Sequence, residues 1–188
     1  MTATTERAIL AGGCFWGVQD LMRRYPGVIS TRVGYSGGDV PNATYRNHGT
    51  HAEAIEIIFD PKILSYRKLL EFLFQLHDPT TLNRQGNDVG TQYRSVIFYH
   101  SSKQKEKAEH YKAALNDSSV FNNPIVTAIE PFTNFYSAEA YHQEYYDYNP
   151  GQVYCRLVIS PKIEKFEKVF KSKLKSTVKN SEMANNRD

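Results

Sequence analysis

The sequence predicts an α+β fold, a mixed sheet with helices packed on it, and three observations carry that expectation. Apolar runs with β-branched or alternating character fall at 8–11, 28–35, 51–59 and 93–99. Segments of helical spacing separate most of them, at 18–24, 65–75 and 101–116. No helical pattern lies between 28–35 and 51–59, so those two runs are free to pair antiparallel, which suits an α+β sandwich. At 188 residues, 40% hydrophobic and 23% charged, the chain can bury one core without disulfide staples. A single domain over residues 1–176 is expected, followed by a polar, disordered tail at 177–188.

Each element has its own local reason. The run 8–11 leads through Gly12 and Gly13 into a helix that Tyr25-Pro26-Gly27 ends. Residues 36–50 are rich in Gly, Asn and Pro and form a loop of a length that often signals function. In 51–59 the alternation places Glu53, Ile55, Ile57 and Phe59 on one face and Ala52, Ala54, Glu56 and Ile58 on the other. Ser65 caps the next helix, whose apolar face is Leu69, Phe72, Leu73 and Leu76, and His77-Asp78-Pro79 stops it. A polar loop follows at 80–90. Ser101 or Ser102 caps a charged helix to about residue 116, and 125–130 reads as a strand. Residues 132–136 are an extended or looped lead-in to a tyrosine-rich helix at 137–149. Residues 153–159 read as extended. Ser160-Pro161 then opens a last helix with Ile163, Phe166, Val169, Phe170 and Leu174 on one face.

Charge and cysteine usage exclude several function classes. A net charge of +3 is too small to argue for nucleic acid. Two cysteines make no disulfide framework, and six histidines with them show no zinc spacing. No run suggests a signal core or a membrane span, so the cytoplasm is the expected compartment.

The stretch that concentrates chemistry is Gly12-Gly13-Cys14-Phe15-Trp16-Gly17, which holds one of the two cysteines and the single tryptophan. Cys14 falls where a strand turns into the first turn of a helix. Free backbone N–H groups and the helix dipole favour an anion there, so a lowered thiol pKa and a nucleophilic thiolate are expected. The glycines permit a tight turn with room for a substrate, and Phe15 and Trp16 offer apolar walls. The competing reading is a buried core thiol among aromatics.

Gly13-Cys14-Phe15-Trp16-Gly17 resembles the signature of the peptide methionine sulfoxide reductase A family. The likeness continues through Gly34-Tyr35-Ser36-Gly37-Gly38, Pro41-Asn42-Ala43-Thr44-Tyr45-Arg46, His51-Ala52-Glu53-Ala54, His77-Asp78-Pro79 and the stretch from Gln85 to Ser95. It covers roughly residues 7–160. The resemblance implies a ferredoxin-like plait and reduction of the S epimer of methionine sulfoxide, free or in proteins, with electrons from thioredoxin and no metal, flavin or nicotinamide cofactor. It implies Cys14 as nucleophile, Glu53 as proton donor, and Tyr45 and Tyr93 as hydrogen-bond donors to the sulfoxide oxygen. It further implies Phe15 and Trp16 as the S-methyl pocket, Asp88 as an organising acid and His142 as a histidine at the site's rim.

The chemistry asks for those residue types. Sulfoxide reduction needs a nucleophile for sulfur and an acid for oxygen. A glutamate titrates near pH 4.3 in water and must be desolvated to keep its proton, as Glu53 would be among Ile55, Ile57 and Phe59. Two rivals are a cysteine hydrolase with Cys14 activated by His51 or His142, and a non-catalytic aromatic cage for peptides. Neither accounts for Glu53. The attack leaves a Cys14 sulfenic acid that another thiol must condense with. Cys155 is the one candidate within the chain. Family members often carry recycling cysteines in a glycine-rich tail, whereas Arg156-Leu157-Val158-Ile159 contains no glycine. On an extended segment Val153, Cys155, Leu157 and Ile159 would share a face and the thiol would be buried. Resolution by Cys155 and direct attack by an external thiol both remain open.

Overall fold

The computed structural model describes residues 4–170. Its elements are β1 (Glu6–Gly12), α1 (Phe15–Arg23), β2 (Val28–Ser36), β3 (Ala52–Phe59), α2 (Tyr66–Leu76), the two-residue strands β4 (Arg84–Gln85) and β5 (Asp88–Val89), β6 (Ser95–Tyr99), α3 (Ser102–Asp117), β7 (Ala128–Pro131), β8 (Phe135–Ser137), α4 (Tyr145–Tyr148) and α5 (Ser160–Phe170). Three-residue 3₁₀ turns lie at Thr91–Tyr93 and Ala140–His142. The expected domain boundary at 176 and the tail at 177–188 lie outside the described residues.

The main sheet runs β7-β6-β1-β3-β2-β8. Its inner four strands, β6-β1-β3-β2, are mutually antiparallel, with α1 linking β1 to β2 and α2 linking β3 to β6. That is the ferredoxin-like plait. β7 extends it in parallel beside β6, and β8 closes the other edge antiparallel to β2, which makes the sheet mixed. One sheet face presents Ile55, Ile57 and Phe59 to α1, α2 and α5, whose Leu21, Leu69, Leu73, Ile163 and Phe166 complete the main core. The other face is built from smaller side chains, Ile9, Ala11, Ala52, Ala54, Val96 and Phe98. Ser65 and Ser101 cap α2 and α3 as expected, accepting hydrogen bonds from the N–H groups of Lys68 and Gln104. Among the described residues no helix is long and apolar enough to cross a membrane.

The expectations fail mainly after residue 79. The polar loop at 80–90 contains the β4–β5 hairpin. Tyr93 lies in the 3₁₀ turn ahead of β6 rather than in the strand. The strand read at 125–130 is confined to β7, and the lead-in at 132–136 becomes the edge strand β8. The expected helix at 137–149 is broken: Glu144 adopts a left-handed conformation (φ 54°) between the 3₁₀ turn and α4.

The largest reversal is at 153–159, which is helical, with a π turn over Cys155–Ile159 running straight into α5. Cys155 and Ile159 are buried four residues apart, while Val153 and Leu157 are exposed, a helical and not an alternating pattern. Pro161 therefore sits inside a continuous helix and does not open one. It lacks an N–H for the preceding turn and its ring crowds that turn's carbonyl. The wider π turn ahead of it accommodates both.

Candidate active site

Cys14 is the N-cap of α1, with extended backbone (φ −56°, ψ 122°). The turn that places it depends on Gly13, whose φ of +96° disfavours any L side chain. A Cβ on Gly13 would come within 2.7 Å of Gln85 Cγ, so the space there is occupied by Gln85 and not kept for a substrate. Gln85 is itself fixed, its Oε1 accepting from Asp78 N–H (3.0 Å) and its Nε2 donating to the Asp78 carbonyl (2.9 Å). The β4–β5 hairpin is thereby pinned over Gly13, and β5 carries Asp88 toward Cys14. Behind Gly12, buried His77 donates from Nδ1 to the Leu73 carbonyl (2.6 Å) and accepts at Nε2 from Ser95 (2.7 Å). Burial pushes His77 down to about 4, so it is a neutral structural post.

Glu53 points from β3 at the start of α1. It is 3% exposed, and Oε1 accepts the Phe15 backbone N–H at 3.1 Å. Burial pushes its pKa up to about 8 against the lowering effect of that N–H, with a further rise from Asp88. Glu53 thus holds its proton at neutral pH.

The expected lowering of the Cys14 pKa is overturned. Burial, then the Glu53 and Asp88 charges, raise it strongly, and the Trp16 N–H and the Tyr154 hydroxyl oppose them only in part. The main physical reason is burial of the sulfur, which the helix terminus offsets only through the Trp16 N–H because its Phe15 N–H is directed to Glu53. The thiol is protonated in this state.

The loop at 36–50 is held by two residues. His51 accepts the Gly38 N–H at Nδ1 (2.9 Å) and donates from Nε2 to the Val40 carbonyl (2.7 Å). Arg94 donates to the carbonyls of Thr50, Thr91 and Gly37. This loop carries Tyr45, whose ring lies 4.5 Å from that of His142. Burial raises the pKa of both Tyr45 and Tyr93, and Glu53 and Cys14 raise both further. The two phenols therefore share one locale with the thiol and the acid and remain protonated donors.

His142 is 1% exposed, so it lies under the site and not at its rim. Trp16 Nε1 donates to its Nδ1 at 3.0 Å, which puts the imidazole proton on Nε2. Trp16 also stacks on Tyr145, with ring centroids 3.9 Å apart, and Phe15 packs on Tyr35 and His142. Phe15, Trp16, Tyr45 and His142 thus form one aromatic wall. Asp88 accepts the Tyr154 hydroxyl in a short hydrogen bond, and Cys14 lies close enough to that hydroxyl to feel it electrostatically. Both ring nitrogens of His51 are committed to its loop, and His142 Nδ1 to Trp16, so neither is disposed as a base for Cys14. Cys155 is fully buried in the main core.

Sequence reasoning missed Tyr154, and it gave no role to Gln85 and Arg94, although both lie in the motif stretch from Gln85 to Ser95. Tyr154 adjoins Cys155 in the sequence, but among 13 tyrosines nothing marked it. Glutamine and arginine making backbone contacts across the fold leave no local pattern at all.

Comparison with known proteins identifies the family. A model of the family described as peptide methionine sulfoxide reductase matches residues 6–174. The peptide methionine sulfoxide reductase MsrA 1 of Mesorhizobium japonicum is 62% identical over 158 residues, covering 84% of this chain and 92% of its own. The crystal structure of Mxr1 from Saccharomyces cerevisiae in reduced form superposes with a TM-score of 0.76 at 36% identity, covering 82% of this chain and 91% of that one. Mxr1 in complex with Trx2 superposes with a TM-score of 0.56 at 30% identity, covering 77% and 87%.

Proposed function

The chain belongs to the peptide methionine sulfoxide reductase family, and on that premise we propose that it reduces the S epimer of methionine sulfoxide, free or in proteins, through a Cys14 sulfenic acid. The observation that carries the reading is Glu53, a buried carboxyl that keeps its proton to about pH 8 beside the Cys14 N-cap. Cys14 sulfur attacks the sulfinyl sulfur, and Glu53 supplies a proton to the oxygen as that oxygen gains negative charge. Tyr45 and Tyr93 donate hydrogen bonds to the same oxygen. Phe15 and Trp16 receive the S-methyl group. In net balance, sulfoxide and Cys14 thiol give thioether and Cys14 sulfenic acid, the substrate sulfur gaining two electrons and Cys14 losing two. A thiol condenses with the sulfenic acid to a disulfide, releasing water, and a dithiol reductant of the thioredoxin class restores both thiols. The complex of Mxr1 with Trx2 supports that class of donor.

For the condensing thiol, we propose Cys155. It follows Tyr154, whose hydroxyl already reaches Cys14. Its burial in the π turn means that this turn must open before sulfur meets sulfur. Thiol counting after one equivalent of substrate, without reductant, tests the step. Loss of two thiols with a Cys14–Cys155 crosslink supports it, and a persistent sulfenic acid with free Cys155 assigns recycling to an external thiol. The overall reading is tested by turnover of separated S and R epimers with dithiothreitol. Reduction of the S epimer alone is expected, and equal or absent turnover overturns it.

A further inference from the structure

Beside Cys14 and away from the aromatic wall lies a cavity of about 520 Å³. Its walls are the start of α1 (Cys14, Gly17), the β4–β5 hairpin with Asp88, the π turn with Tyr154 and Leu157, and the first turns of α5. The one basic side chain lining it is Lys162. A second cavity of about 680 Å³ shares Gln85 and Lys162 with the first, so Lys162 stands where the two meet. Among the described residues its ammonium is committed to no hydrogen bond or ion pair. A part-buried cation without a carboxylate partner is costly unless something nearby gains from it.

We propose that Lys162 is the charge partner of the Cys14 thiolate, a positioning residue that makes ionisation of a buried thiol feasible in this site. The inference rests on the reading of Cys14 as nucleophile. The acids around Cys14 oppose its ionisation, Asp88 beside it and Glu53 behind it once ionised, and the Trp16 N–H and Tyr154 hydroxyl offset burial and these acids only in part. Lys162 reaches the site from α5 and interacts electrostatically with both Cys14 and Asp88. Burial pushes the Lys162 ammonium down to about 8, and those two groups act against the fall, so it remains largely charged at neutral pH. The other ionisable groups around it do not replace it. Tyr154 faces it from the π turn as a neutral phenol. In the second cavity His77 is neutral, the Asp78 carboxylate accepts from Thr80, and Lys165 lines that cavity without reaching the first. When the thiol proton leaves, the anion left on sulfur has Lys162 as its counter-charge, and the effect is reciprocal: the thiolate holds the proton on Lys162.

The test is alkylation by iodoacetamide of the full chain without substrate, from pH 5 to 10, with Cys14 and Cys155 resolved by mass spectrometry. An opposite charge at close range shifts a pKa by about 1–3 units. Lys162→Met is therefore expected to displace the Cys14 labelling profile by about one unit toward higher pH, which slows labelling about tenfold at pH 7. Lys162→Arg, which keeps the charge, should stay within about twofold of the parent. Coincident profiles for the parent and Lys162→Met, with Cys14 still the labelled residue, overturn the proposal. Labelling of Cys155 with Cys14 inert in the parent overturns the nucleophile assignment instead. Should Lys162→Met not fold, Lys162→Gln takes its place in the same comparison, and an unshifted profile again counts against Lys162.

Discussion

Residues 6–99 and residues 128–170 build the same site by different means. The first region is a plait whose strands and helices follow from periodicity, and it delivers Cys14 from the end of β1 and Glu53 from β3. The second is a wrap of short elements held by single side chains. Gln143 accepts the Val33 N–H and donates to the Val33 and Ala138 carbonyls, standing in for one more strand at the β2 edge. Gln19 accepts the Glu144 N–H, and Trp16 holds His142. The plait supplies the reacting groups, and the wrap sets what surrounds them. Substitutions in the plait should therefore remove chemistry and leave the fold, whereas substitutions in the wrap should move stability or the thiol's acidity, according to which contact each one breaks.

The sharpest break is expected at Glu53. Glu53→Gln keeps the size of the side chain and removes the transferable proton, so the single-turnover rate should fall about 10²–10⁴-fold. In the parent the same rate should decline as pH rises through about 8, where Glu53 ionises. Stability should move the other way in the variant. A carboxyl whose folded pKa is raised contributes stability that is fully present below its unfolded value, near 4.5, and is lost as pH rises through about 8. Glu53→Gln should accordingly match the parent at pH 4 and be the more stable protein at pH 8, in paired melts. A variant that loses stability throughout would place Glu53 among the structural acids. Next in size is the oxygen site. Losing both hydroxyls of Tyr45 and Tyr93 should cost about 2.7–4 kcal/mol of transition-state stabilisation, and losing one should cost less because the other still donates. Equal losses for single and double variants in single-turnover assays would show that one phenol does nothing.

The same contrast explains what could be read from the sequence. Glu53 was legible because the large apolar residues Ile55, Ile57 and Phe59 lie at alternate positions of β3 and fix the face that Glu53 shares. Cys14 was legible because Gly12 and Gly13 mark a strand-to-helix turn. Its acidity was not, because the burial of the sulfur and the proximity of Glu53 and Asp88 are tertiary facts. The wrap was misread because its elements are too short to show a period. The spacing of Val153, Cys155, Leu157 and Ile159 fits a strand, and only packing against Gly17, where Ile159 carbons lie 3.7 Å from a Cβ position, selects the helix. Gln143→Ala tests that account. It removes two hydrogen bonds at Val33 on the β2 edge and one at Ala138, and leaves the Val33 N–H without its partner while the Val33 carbonyl keeps the Ala138 N–H, at a cost of about 1–3 kcal/mol. The denaturation midpoint should fall, and fluorescence of the lone tryptophan, Trp16, should change as His142 loses its support. A parent-like midpoint and spectrum would mean that the wrap is held elsewhere.

The smallest expected effect discriminates best between the two regions, because Tyr154 lies in the wrap and acts on a sulfur carried by the plait. Its hydroxyl donates to Asp88 and also lies close to Cys14, and its one proton can serve only one of them at a time. With the thiol protonated, the carboxylate is the better acceptor. Once sulfur ionises, the two anions compete for that proton. Tyr154→Phe removes the donor, leaving the thiolate without this hydrogen bond and Asp88 less neutralised beside it. Both changes favour the protonated thiol. A net hydrogen bond of about 1 kcal/mol corresponds to about fivefold slower alkylation of Cys14 at pH 7. The melting temperature should shift little, since the edge-on packing of Tyr154 against Trp16 is kept by phenylalanine. A fall in stability with unchanged labelling would make Tyr154 a strut of the wrap. Slower labelling at unchanged stability is the result that ties the wrap to the chemistry of the plait.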